Sequence, residues 1–139
     1  MRLKFIMYLL LTFTVLIISE GEVEAKEEFI VDHSTDLQHV FDRAEDNDVI
    51  KIKPGIYEGN FTINTSVTVI GEDGAIIKGP NKGNVITVNA DDVTIENLQI
   101  EGSGSQDAGI HLKSNRNMIK DNKIYEVYHG VTVRDGYGN

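Results

Sequence analysis

Val85-Ile86-Thr87-Val88, Val93-Thr94-Ile95, Leu98-Gln99-Ile100, Gly109-Ile110-His111-Leu112, Met118-Ile119, Ile124 and Gly130-Val131-Thr132-Val133 follow one another between Asn84 and Asn139 and decide the fold. Each piece is a short run with apolar residues two apart, and Asn, Asp, Gly or Ser separates it from the next. Period-two alternation with turn punctuation marks half-buried strands. The pieces also recur. Ile86 to Ile110, Val88 to Leu112, Ile95 to Ile119 and Ile100 to Ile124 are each 24 residues apart, while Ile110 to Val131 and Leu112 to Val133 are 21 apart. A unit of this length built from short strands predicts a solenoid of stacked β-coils.

Upstream, the same logic continues. In Val49-Ile50-Lys51-Ile52-Lys53 the isoleucines and lysines point to opposite faces, and Pro54-Gly55 closes the run, because proline cannot donate to a ladder and glycine permits the turn. Phe61 and Ile63 form a further strand, Val67 and Val69 begin the next coil, Gly71-Glu72-Asp73-Gly74 turns it, and Ile76-Ile77 follow. Before the coils, Phe29-Ile30-Val31 reads as a short strand and Ser34-Thr35 as the opening of a helix. Thr35 and Gln38 fit reciprocal capping, and Leu37, Val40, Phe41 and Ala44 fall on one helical face. Glu45-Asp46-Asn47-Asp48 ends that helix. Its expected role is a plug over the apolar end of the first coil.

At the amino end, Met1-Arg2-Leu3-Lys4 is basic and Phe5 to Ile18 is an apolar run relieved only by Thr12 and Thr14. That run is too short to span a membrane, which takes about 20 residues, so the pattern predicts a secretory signal peptide; an uncleaved anchor is the alternative. The expected organisation is therefore a signal peptide over residues 1–25, an amino-terminal strand and capping helix over 26–48, and β-helix coils over 49–139. Gly136-Tyr137-Gly138-Asn139 leads toward another strand, so the coils are expected to be truncated at the carboxyl end. After signal cleavage no membrane span is expected, and the protein is placed in the periplasm, at the cell surface or outside the cell.

The chain has no cysteine, so an exported form would have no disulfides and would be stabilised by its stacked apolar interior. The net charge is −9; residues 1–25 carry Arg2 and Lys4 against Glu20, Glu22 and Glu24, which leaves −8 for the rest. Nucleic acid is not an expected partner, because phosphate binding needs clustered Lys and Arg. The sequence leaves the oligomeric state open.

Asp48 to Glu58, followed by Val67-Thr68-Val69-Ile70-Gly71-Glu72, resembles the opening of right-handed parallel β-helix proteins of the pectate-lyase-like superfamily. Asn117-Met118-Ile119-Lys120-Asp121-Asn122-Lys123-Ile124 resembles the Asn-rich repeat of its NosD-like branch, named after the periplasmic nitrous-oxide-reductase maturation protein. The resemblance covers residues 30–139 and concerns fold more than activity. It implies a right-handed, all-β parallel β-helix, and by family an association with copper handling.

Candidate chemistry divides into four groups. Asn89, Asn97, Asn115, Asn117, Asp121, Asn122 and Asn139 lie at turns. Acidic groups there could serve calcium, which takes several oxygen ligands, but left-handed turns and stacked amides account for them better. The second group is an outward column on one sheet. Alternation stacks Thr87, His111 and Thr132, and beside them Asn89, Lys113 and Arg134. His111, Lys113 and Arg134, with Tyr128 or Tyr137 nearby, make a candidate grip for a carboxylated sugar, by charge-assisted hydrogen bonds and aromatic stacking. An ordinary solvated face is the competing reading, with Asp135 neutralising the cations.

The third group is the carboxylates Asp107, Asp121, Glu126 and Asp135, from which a glycosidase would need a pair about 5–9 Å apart. No alginate-epimerase or lyase signature accompanies them, so catalysis is not expected in this stretch. The fourth is His33, His39, His111 and His129, none at chelating spacing, with Met118 the one methionine after residue 25. No cofactor is evident from these residues; calcium and copper remain without support. Asn60-Phe61-Thr62 and Asn64-Thr65-Ser66 match the N-glycosylation pattern, which matters only in a eukaryotic secretory route. The expected role is an exported β-helix that binds or scaffolds, with polysaccharide as the ligand. The alternatives are a polysaccharide lyase, hydrolase or epimerase with its catalytic coils beyond Asn139, and a NosD-type accessory protein for a periplasmic copper enzyme.

Overall fold

A computed structural model describes residues 26–134 and 136–139; residues 1–25, which carry the expected signal peptide, and Asp135 lie outside the described residues. The chain enters through strand β1 (Glu28–Val31) and one short helix, α1 (Leu37–Arg43). It then winds through β2 (Val49–Ile52), β3 (Gly55–Glu58) and β4 (Phe61–Ile63), and through β5 (Thr68–Gly71), β6 (Ala75–Lys78) and β7 (Ile86–Val88). Two further coils use β8 (Thr94–Glu96), β9 (Gln99–Glu101) and β10 (Ala108–Leu112), then β11 (Met118–Lys120), β12 (Lys123–Ile124) and β13 (His129–Val133).

Each coil gives one strand to each of three sheets. Sheet A has the order β1-β2-β5-β8-β11, sheet B β3-β6-β9-β12, and sheet C β4-β7-β10-β13. Every pairing is parallel, so the protein is a parallel β-solenoid of about five turns. The repeats of 24 and 21 residues are its rungs: Ile86 pairs with Ile110, Ile95 with Ile119, Ile100 with Ile124, and Ile110 with Val131. Pro54-Gly55 ends β2, as expected, and turns the corner into the next strand. Gly55 starts β3, a strand the alternation of residues 49–53 does not announce, because the interior residue there is the aromatic Tyr57.

Inside, like sits on like. Phe29, Ile50, Val69, Ile95 and Ile119 stack along sheet A, and Tyr57, Ile77, Ile100 and Ile124 along sheet B. Phe61, Ile86, Ile110 and Val131 do the same on sheet C. Most are completely buried, each contributing roughly 1.5–3 kcal/mol of burial. The Tyr57 hydroxyl, carried into this interior, donates to the Val31 and Lys53 carbonyls. In the last coil Val131 and Val133 keep the inward register but remain 42% and 52% exposed, because no further coil packs over them among the described residues.

The corners explain the asparagines. Asn97 and Asp121 occupy equivalent left-handed positions (φ 56° and 55°), as do Asp92 and Arg116 (φ 57° and 54°). The Asn117 side-chain carbonyl accepts from Val93 N–H at 3.0 Å, and Asn122 accepts from Leu98 N–H at 2.9 Å. Asn139 accepts from Asn117 N–H at 2.6 Å. These amides carry the coil-to-coil ladder across corners where the backbone turns away from it. Between sheets B and C the coils approach so closely that a Cβ at Gly79 would collide with the Gly102 carbonyl, which only glycine avoids.

The helix buries Leu37, Val40 and Phe41, with Ala44 beside them, as its periodicity requires. Its cap differs from the expectation. Asp36, not Thr35, is the N-cap, accepting from His39 N–H, while Thr35 bonds within a turn held by Asp32. Gln38 is therefore freed from the capping box. Its amide donates to the Thr62 carbonyl at 3.0 Å and accepts from Thr62 N–H at 2.9 Å. A side chain thus completes the edge of sheet C at β4, as a peptide group of another strand would. Among the described residues no helix is long and apolar enough to cross a membrane.

Ile110 is fully buried in the middle of the stack. Ile110→Asp is expected to abolish the cooperative thermal transition followed by circular dichroism, since an unpaired charge in this interior costs several kcal/mol; a soluble variant with an unchanged transition would reverse the inward assignment. Asn117→Ala leaves Val93 N–H without its partner and should lower stability by about 1–3 kcal/mol in denaturant unfolding.

Candidate functional site

Sheet C presents two outward columns. Thr62 pairs with Thr87, Thr87 with His111 and His111 with Thr132, so these four side-chain positions form one stack. One step beyond the aligned Ile63, Val88, Leu112 and Val133 lie Asn64, Asn89, Lys113 and Arg134. The Asn89 amide donates to the Asn64 side-chain oxygen at 2.8 Å, and Lys113 N–H and Arg134 N–H donate to Val88 and Leu112 carbonyls one coil back. Strand spacing alone sets the two cationic stems about 4.8 Å apart at the backbone.

His111 is half-buried in this face, and its Nδ1 lies 2.7 Å from the Thr132 hydroxyl. Burial pushes its pKa down first; the neighbouring charges of Lys113 and Arg134 push it further, and Asp107 partly opposes them. The imidazole is therefore held neutral near pH 7, one nitrogen fixed by Thr132. Lys113 and Arg134 remain exposed, and neither forms an ion pair among the described residues.

The other two sheet faces are different. Lys51 pairs with Glu28 at 3.1 Å, Lys78 with Glu101 at 3.3 Å and Lys120 with Glu96 at 2.6 Å, each across neighbouring coils. Arg116 holds Asp91 and Asp92 at a corner, which raises its own pKa and lowers that of Asp92. Cations there meet acids, whereas on sheet C a cation follows a cation in the same column. His111, Lys113 and Arg134 are thus brought together by the register.

Tyr128 stands apart from that cluster. It precedes β13, is 64% exposed, and sets its ring edge-on to His129 with centroids 4.6 Å apart. Tyr137 is still more exposed. Asp107 braces a loop, its carboxylate accepting from Gly83 N–H at 3.0 Å. Asp121 and Glu126 sit at left-handed corner positions, one between sheets A and B and the other between B and C. Asp135 lies outside the described residues. The Asn60 amide is engaged with the Lys82 and Asn84 carbonyls. Among the described residues no three His, Cys, Asp or Glu side chains group so as to hold a metal ion.

A groove of about 290 Å³ beside the helix is invisible in the sequence. His33, Asp36, Leu37, Tyr57, Glu58 and Phe61 line it, from the helix start and from β3 and β4. No spacing links these residues, because the helix interrupts the coil between β1 and β2. Compared with family models, curated proteins and solved structures, the chain matches none.

A histidine whose folded pKa lies below its unfolded value favours the neutral native state. Its contribution is intact above pH 6.5 and is lost as pH falls toward the folded value, because the unfolded chain takes up the proton first. The His111 ring is expected to titrate below 6.5 by NMR, and His111→Gln to lessen the loss of stability on the acid side; a midpoint at or above 6.5 would show that burial and the two cations do not depress it.

Proposed function

We propose that this chain is an exported β-helix protein of the cell envelope or extracellular space, of the NosD-like, pectate-lyase-like type, that binds or scaffolds an acidic carbohydrate. The observation that carries the reading is Lys113 stacked on Arg134 beside neutral His111, on the outer face of sheet C. In a chain of net charge −9, two adjacent cations without acids in their own column make a local site for a carboxylate. Arg offers a carboxylate a two-pronged hydrogen bond and Lys a point charge one rung away. The Thr87 and Thr132 hydroxyls and the free imidazole nitrogen suit the hydroxyls of a sugar chain laid along the column. The repeat and its Asn corners support the family reading, and the basic and apolar start of the chain supports export.

The reading is one of binding rather than turnover, with the Asp107 carboxylate engaged in bracing Gly83.

The test mixes the protein with neutral and carboxylated polysaccharides, with and without calcium, and follows polymer size and co-elution. Co-elution with carboxylated polymers alone is expected, weakening with salt and falling at least about tenfold in Lys113→Ala/Arg134→Ala, a loss of about 1.4 kcal/mol. Shortened polymer would replace binding with catalysis, and no co-elution with any polymer would remove carbohydrate as the ligand.

A further inference from the structure

The first coil closes its sheets unequally. Gln38 completes the edge of sheet C at β4, whereas sheet B begins at β3 with no strand on its outer side among the described residues. Gly55 N–H and Gly59 N–H donate to the Gly74 and Lys78 carbonyls of the following coil, so alternation turns Tyr57 toward that coil as well. Ile56 and Glu58 therefore direct their N–H and C=O groups the other way, to the open edge. The groove of about 290 Å³ lies beside this strand: Ile56 and Glu58 line it, and so do His33, Asp36 and Leu37 from the segment that leads into α1. Glycine stands at the start of β3 and just after it. A Cβ there would come within 3.4 Å of His33 Cβ or 3.3 Å of the Phe61 ring and narrow the groove.

The outer face of sheet B alternates in charge up to this edge. Glu58, Lys78 and Glu101 are neighbours in one row, and Ile56, Ile76 and Gln99 in the row beside it. Lys78 is turned to Glu101 at 3.3 Å, so Glu58, at the end of the row, has no ion-pair partner among the described residues. Ile56 is 56% exposed. An unanswered acid and an uncovered apolar side chain thus flank the free backbone groups of β3.

We infer that β3 accepts an extended peptide of a partner protein as an added strand, and that this segment carries an apolar residue and a Lys or Arg two positions apart. Its main chain bonds the free N–H and C=O groups of Ile56 and Glu58, as the Gln38 amide does for Thr62 at β4. Its basic side chain sits beside Glu58 and extends the alternating row, with Asp36 as a second acid on the groove. Its apolar side chain covers Ile56, and the residue between the two points into the groove. An acidic segment would set a carboxylate beside Glu58 and is rejected by the same register.

The probe is acetyl-Lys-Thr-Val-Thr-Lys-amide, which offers valine and lysine two apart in either chain direction. One counterpart has Glu in place of Lys, and another is N-methylated at its three central residues. Fluorescence anisotropy of the labelled peptides measures binding, and amide NMR of the protein locates it. The basic peptide is expected to bind at least about tenfold more tightly than the acidic one and to slow hydrogen exchange at Ile56 and Glu58. The N-methylated peptide keeps the charges but cannot donate to the ladder, and should bind at least about tenfold more weakly. Glu58→Lys should invert the preference between the basic and acidic peptides. Ile56→Pro removes a donor that the protein's own ladder does not use, and should weaken binding at least about tenfold with the circular dichroism spectrum retained. Should that variant unfold, the N-methylated peptide makes the same test on the unaltered protein. No binding of the basic peptide, equal binding of its N-methylated form, a preference unmoved by Glu58→Lys, or protection elsewhere than at Ile56 and Glu58 would each overturn the inference.

Discussion

The coil-to-coil hydrogen-bond ladder is the constraint on which the rest of the structure depends. In a parallel stack of short strands, each rung bonds to the rung before and the rung after, so a residue's height in the coil is fixed by its neighbours' backbones. Once Ile86 is aligned with Ile110 and Ile110 with Val131, every other position in those coils is aligned too. A slip of one residue would turn Ile110 outward and His111 into the interior. The dry interior thus enforces the register, and the register decides what the outer faces display.

Corners are where this constraint is hardest to meet, since the backbone must leave one sheet and enter the next without abandoning its donors. The chain uses left-handed residues at Asn97 and Asp121, and amides at Asn117, Asn122 and Asn139 that stand in for missing backbone partners. The amino end uses the same device in another form. Gln38 reaches from the helix and satisfies both backbone groups of Thr62, closing the edge of sheet C. Among the described residues no buried side-chain nitrogen or oxygen lacks a hydrogen-bond partner.

The outer faces then differ by what the ladder stacks. Sheets A and B pair lysine with glutamate across coils, with the lysine ends open to solvent that screens the contact. Such pairs neutralise a face more than they stabilise it. Sheet C stacks Lys113 and Arg134 instead, and leaves beside them an imidazole whose proton affinity the two cations reduce. One ladder therefore gives faces on which lysine is answered by glutamate, and a face on which a cation is stacked on a cation.

The sequence by itself determined the solenoid, because its period is local: residues 21 or 24 apart are brought together by repetition alone, and Ile86, Ile110 and Val131 announce their own stacking. It determined the helix face for the same reason, and the column of Thr87, His111, Lys113, Thr132 and Arg134 followed from alternation. Tertiary structure decided what repetition does not encode. The helix cap moved to Asp36 because Gln38 is drawn to Thr62, 24 residues away, a partner no capping pattern anticipates. Tyr128 turned to His129 rather than to His111, and β3 emerged only where Tyr57 enters the interior. The groove beside the helix and the Lys51–Glu28 pair came from elements joined in space across the helix that interrupts the repeat, where packing, not sequence spacing, fixes the geometry.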